Sequence, residues 1–153
     1  METKFNFNSA ICTSLKQSKR LLTLGLREET ADVTIHHEYG VTTRFGVDYS
    51  WYVQTHKEQG YTEKFFESVF PAWSLSRLLC MLTSVIPLSE EFPTFDKHAF
   101  LQLYTAAVSY VYDDYDGEEI ILVSFYGNGF FAAVVDAIEW LIKEGHFPKE
   151  YLD

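Results

Sequence analysis

Cationic side chains run out along this chain. Residues 1–30 carry five Lys or Arg against three Asp or Glu, residues 31–100 five against nine, and residues 101–153 two against ten, so the net charge of -10 gathers in the last third. A surface this acidic repels phosphate backbones and anionic headgroups, so neither nucleic acid nor a membrane is an expected partner, whereas a basic protein is. Cysteine is scarce as well. Cys12 and Cys80 stand far apart, form no C-x-x-C pair and cannot staple a small secreted framework, so free thiols are expected. The stretch METKFNFNSAICTSLKQSKR has no apolar h-region, which makes a secretory signal unexpected and a reducing cytoplasm the expected compartment. Long hydrophobic runs are missing too. The longest uncharged run, Ile120 to Val135, falls short of the roughly 20 residues that span a bilayer, and Gly127, Asn128 and Gly129 interrupt it. It reads as a buried strand followed by a buried helix.

Complete catalytic and ligand motifs are also lacking. The segment FPAWSLSRLLCML raises Ser74 and Ser76 as nucleophiles, but the glycines of G-x-S-x-G that permit a strained strand-to-helix turn are absent around both. Asp114, Asp116 and Gly117 match positions three, five and six of an EF-hand loop, yet Tyr112 and Val123 occupy positions one and twelve, where carboxylates must bind calcium. Adjacent His36 and His37 on a strand point oppositely, unlike the two imidazoles of H-E-x-x-H on a helix, so only His36 and Glu38 converge. Cys80, between Leu79 and Met81, reads as an inert buried thiol; Cys12, just ahead of a helix, has no nameable base. Gly127-Asn128-Gly129 lacks the remaining glycine and lysine of nucleotide-binding loops, and Asn128 reads as a helix cap. No catalytic residue, metal ligand or cofactor is assigned.

What the chain does contain is apolar and aromatic mass. Apolar residues make up 47% and aromatics 17%, with thirteen Phe and ten Tyr, enough for one sizeable core containing sheet. No repeat or flexible linker divides residues 1–153, so a single domain is expected, with Pro87 to Pro93 as a loop. Ser14 and Gln17 have capping-box spacing, predicting a helix over 14–24 that Gly25 stops. Alternation predicts strands over 31–39 and 47–55, paired as a hairpin, while Gly40 ends the first. Leu75, Leu78, Leu79, Leu82 and Val85 recur at the spacing of one helix face behind Ser74 as N-cap, with Pro87 at the exit. Strands are predicted at 99–104, 107–113 and 119–126, the last nearly all apolar and so central, with DDYDGE as a tight turn between the last two. A helix from Phe130 carries the stripe Phe131, Val134, Val135, Ile138, Leu141 and Ile142, and ends at Gly145 and Pro148. Residues 56–70 yield no prediction. The pattern is α+β: a mostly antiparallel sheet of about five strands with two to three helices packed on one face.

The segments CTSLKQS (Cys12, Thr13, Ser14, Gln17, Ser18) and PAWSLSRLL (Pro71, Trp73, Ser74, Leu75, Leu78, Leu79), with the closing VVDAIEWLIKEGHF, resemble a group of small uncharacterised proteins of anaerobic gut bacteria and their phages. The resemblance spans most of the chain. It implies an accessory protein of a mobile element and carries over no activity, cofactor or residue role.

The expected function is therefore a cytoplasmic accessory role through protein–protein contact, with Asp113, Asp114, Asp116, Glu118 and Glu119 as the contact edge for a basic protein. The alternative is an enzyme or small-ligand binder with a site assembled around His36, Glu38 and Trp51.

Overall fold

A computed structural model describes residues 11–153; the reading of residues 1–10 as free of an apolar leader lies outside the described residues. Helix α1 (Leu15–Thr23) leads into the hairpin β1 (Val33–Glu38) and β2 (Val41–Phe45), then α2 (Tyr49–Glu58), α3 (Glu63–Phe66), β3 (Val69–Ala72) and α4 (Leu75–Met81). Strands β4 (Val85–Pro87), β5 (His98–Leu103), β6 (Ala107–Asp113) and β7 (Glu119–Tyr126) follow, and α5 (Phe130–Lys143) closes the fold. The class is α+β, and every strand pairing is antiparallel. The strands divide between two sheets, ordered β2-β1-β3 and β4-β5-β6-β7.

Local chemistry accounts for the boundaries. Ser14 and Gln17 form the expected capping box: Gln17 N–H donates to Ser14 Oγ at 3.1 Å and Ser14 N–H to Gln17 Oε1 at 2.9 Å. Ser74 caps α4 by accepting from Arg77 N–H, and Asp32 fixes the cap by accepting from Ser74 N–H at 2.8 Å and Oγ–H at 2.5 Å. Both lone-pair and proton of the Ser74 hydroxyl are thereby used in starting a helix. Thr13 N–H donates to Trp73 O, and Trp73 N–H donates to Thr13 Oγ1, so the two signature segments hold each other.

Four expectations are corrected. Residues 49–58 form α2 and not a strand: Tyr49, Tyr52 and His56 recur at helical spacing, and buried Tyr52 stacks between Phe45 and His56 at 5.4 and 4.0 Å. The hairpin partner of β1 is instead β2, joined through Tyr39 and Gly40, both at positive φ (51° and 74°) as a tight primed turn requires. Strand β7 lies at a sheet edge, and β5 and β6 are the interior strands. Tyr110 pairs with Val123 but Val111 with Ile121, so Leu122 is an extra, bulged residue. The bulge sends consecutive apolar side chains to one face, which produces the run that reads as two-sided burial. Finally, Gly129 (φ 101°), not Asn128, occupies the N-cap of α5, and Val85 belongs to β4 because α4 stops at Met81. The α5 start is tight: a Cβ on Gly127 would sit 2.4 Å from Ala132 Cβ, so only glycine lets the chain pass the helix there.

The main core lies under the four-stranded sheet, with Leu21, Trp73 and Leu78 packed with Val108 and Tyr110 of β6 and with Val134, Ile138 and Leu141 of α5, while Val33 and Ile35 of β1 and Ala72 of β3 form a second, smaller cluster with Cys12. Each such large side chain, once buried, contributes roughly 2 kcal/mol. That outweighs the missing side-chain cap on α5, worth about 1 kcal/mol. Arg20 of α1 reaches across to Asp136 (2.8 Å) and Glu139 on α5, and Lys143 bonds Glu139 at 2.5 Å as the i,i+4 spacing predicts. The Lys143 ammonium first, and then the Arg20 guanidinium, hold the Glu139 carboxyl below its ordinary range. A lowered carboxyl stabilises the fold above its ordinary range and loses that contribution as pH falls through the folded value. Arg20→Ala should therefore cost about 1 kcal/mol near neutral pH, measured by urea unfolding, with the difference from wild type closing as the medium is acidified.

Candidate interaction face

Among the described residues, the four-stranded sheet is clothed on one side only. Helix α5 packs on β6 and β7. Side chains of Val108, Tyr110 and Tyr112 join the core beneath it, with Ala99 and Leu101 of β5 and Leu122, Val123 and Phe125 of β7. Strand alternation and the pairings Phe100↔Val111, Ser109↔Ser124 and Val111↔Ile121 turn a second set the other way: Phe100 and Gln102, Ala107, Ser109 and Val111, then Ile121, Ser124 and Tyr126. None of these joins the core cluster. Small Ala107, Ser109 and Val111 lie sunk between the larger side chains of the flanking strands, which leaves a trough of about 400 Å³ lined by Tyr104, Ala107, Ser109, Ile121 and Tyr126. Ile121 is 57% exposed and Tyr126 74%, although isolated large apolar groups in strands gain by burial.

Polar groups on this face bond one another. Ser109 and Ser124 hydroxyls meet at 2.7 Å, Gln102 Nε2 donates to Glu119 at 2.8 Å, and the Tyr104 hydroxyl donates to Gln102 Oε1. The face ends in the β6–β7 turn, where the five expected contact residues sit. Asp113 and Glu119 are the last strand pair. Asp114 is partly spent on architecture, its Oδ1 accepting from the N–H groups of Asp116 and Glu118 at 2.9 Å each, while Gly117 supplies φ 78°. The loop is thus a self-bonded turn, in keeping with the incomplete calcium motif. Beside it, Phe95 and Tyr115 stack edge to face at 4.6 Å, both exposed. No Lys or Arg occurs between residues 98 and 142; within that span Asp136 and Glu139 are paired with Arg20, whereas Asp113, Asp114, Asp116, Glu118 and Glu119 have no cationic partner among the described residues. Apolar contact area and uncompensated negative charge therefore adjoin.

The residues of the alternative site are only partly brought together. His36 Nε2 lies 3.4 Å from Glu38 Oε2, buried and without a hydrogen bond among the described residues, its ring 5.4 Å from that of Phe65. Trp51 points outward from α2 at 58% exposure, and Tyr52 is the residue that α2 turns toward β1 and β2. His37 bonds Thr42 through Nδ1, as a core-edge histidine should. Among the described residues no group of three or more His, Cys, Asp or Glu could hold a metal ion, and no helix is long and apolar enough to cross a membrane. Compared with protein-family models, curated proteins and solved structures, the chain matches none.

The face itself escaped sequence reading. Alternation over 98–113 marked which residues share a side, but nothing local says which side receives a helix. The usable signal was global: one strongly amphipathic long helix is too little to cover both sides of this sheet, and the segment spanning it has no cation.

The burial expected of Cys80 is found at Cys12 instead. Cys80 is exposed on α4, because the core face of that short helix is set by Leu78 and Met81, while Cys12 is buried beside Val33, Ile35 and Ala72. Burial pushes the Cys12 thiol above its ordinary pKa, against any activation by the helix behind it. Titration of the native protein with a thiol reagent should modify Cys80 alone, and Cys12 only after denaturant is added; rapid native modification of Cys12 would contradict its burial.

Proposed function

We propose that the protein acts by contact with a cationic protein, docked across the bare face of the four-stranded sheet and the acidic β6–β7 turn, in an accessory role within the cytoplasm. The observation that carries this reading is the apolar outer face, with Phe100, Ile121 and Tyr126, bordered by carboxylates in a segment without Lys or Arg. Apolar anchors supply contact area at the centre of such an interface, and charge at its rim supplies orientation and association rate. The Phe95–Tyr115 pair beside Asp114 and Asp116 suits an arginine, whose guanidinium stacks on rings while its N–H groups bond carboxylates. A second copy of this chain is a poor occupant, since it brings the same acids and a net charge of -10.

Capture from host lysate on immobilised protein tests the reading. Changing Asp113 and Asp114 and Asp116 to Asn, and Glu118 and Glu119 to Gln, should lower capture of the cationic partner about tenfold. Asn keeps the Oδ1 acceptor that the turn uses at Asp114. Capture by wild type should also fall with salt, because rim charges are screened. A partner held equally well by the neutralised variant and at high salt would overturn it.

A further inference from the structure

We propose that the partner contributes an extended strand that adds to the free edge of β7, an inference that rests on the docking face proposed above. The two sheets have four edges, and three are blunted. Strand β4 has three residues and ends in Pro87; β3 has four and contains Pro71; β2 has five and carries exposed Arg44. Shortness, proline and charge are the devices by which edges refuse another strand. Strand β3 is further followed by the pairing of Cys12 with Ser74. Strand β7 carries one blunting device, the bulge at Leu122, but otherwise differs: eight residues, no proline, no cation, and no charge from Ile120 to Tyr126. Among the described residues nothing pairs with its outer edge.

An unpaired antiparallel edge offers a row of N–H and C=O groups to an incoming strand, while its side chains set which strand fits. On the α5 side an added strand would lie beside Leu122, Val123 and Phe125, so it needs apolar residues at alternate positions. On the outer side it would lie beside Glu119 at one end and Ile121 and Tyr126 further on. Glu119, with Asp113 opposite it and Glu118 next to it, calls for Lys or Arg at that end. The occupant so defined is an extended cationic segment with apolar alternation. Self-pairing through β7 is disfavoured twice: a second β7 brings no cation to Glu119, and its own bulge at Leu122 would have to meet the first.

Titration with synthetic peptides as long as β7, followed by amide hydrogen exchange, tests this. The parent probe alternates valine with lysine; a second replaces lysine by glutamate. Two more keep the parent's side chains but carry backbone N-methyl groups along one edge or along the other. The parent should bind, the glutamate peptide about tenfold more weakly or not at all, and just one N-methylated peptide should lose about tenfold. Binding of the parent should slow exchange of the β7 amides not donated to β6, leaving those of β2 unchanged. If both N-methylated peptides bind like the parent, or β7 amides are untouched, strand addition is overturned; the docking face then still stands if binding drops on neutralising the five acids. If no peptide binds, strand addition is overturned, and the lysate capture decides the docking face separately. A dimer that dissociates when Ile121 is changed to Lys would overturn the choice of a foreign strand in favour of a second copy.

Discussion

The packing of α5 against β6 is the constraint from which the rest of the molecule follows. Val134, Ile138 and Leu141 bury the inward side chains of β6, and Trp140 stacks on Tyr110 with ring centres 5.8 Å apart. Tyr110 in turn donates its hydroxyl to Thr83 O at 2.7 Å, fixing the sheet to the turn behind α4, and burial pushes that phenol above its ordinary pKa. A sheet needs at least one covered face to be stable, and α5 supplies it. Since α5 is, among the described residues, the only long helix against β6 and β7, those residues leave the opposite face bare.

The residues that looked most like chemistry serve this architecture. Ser74 is held between Asp32 and Arg77 N–H, and Trp73 is wholly buried with its indole N–H donated to Thr30 Oγ1 at 2.9 Å. Thr13 and Ser18 hydroxyls bond each other at 2.7 Å inside the fold. A buried hydroxyl or indole left unpaired would cost more than its bond contributes, so such residues are tightly specified without any substrate to bind. The segments CTSLKQS and PAWSLSRLL are of this kind.

Legibility followed the strength of each local signal. Helices α1 and α5 were readable because a capping box and a long apolar stripe each impose the 3.6-residue period, and β5 to β7 because Asp-Gly and alternation agree. Segment 47–55 misled because Val47, Tyr49, Trp51 and Val53 also satisfy a period of two; contacts of Tyr52 with Phe45 and Phe65, distant in sequence, decided for helix. Strands β3 and β4 are too short to show any period and exist through pairing alone. The acidic turn was visible as composition, whereas the bare face beside it depends on which side α5 lands, a tertiary fact.

The proposed function rests on what the helix layer leaves uncovered among the described residues: an apolar sheet face, an open strand edge and a turn of carboxylates, all within one stretch of chain without a cation. The most direct test is hydroxyl-radical footprinting of the isolated monomer, read residue by residue by mass spectrometry. Phe100, Ile121 and Tyr126 should be modified readily while Tyr110, Val134 and Ile138 are spared. Protection of Phe100, Ile121 and Tyr126 in the free monomer would mean that the chain covers this face itself, and would contradict the account.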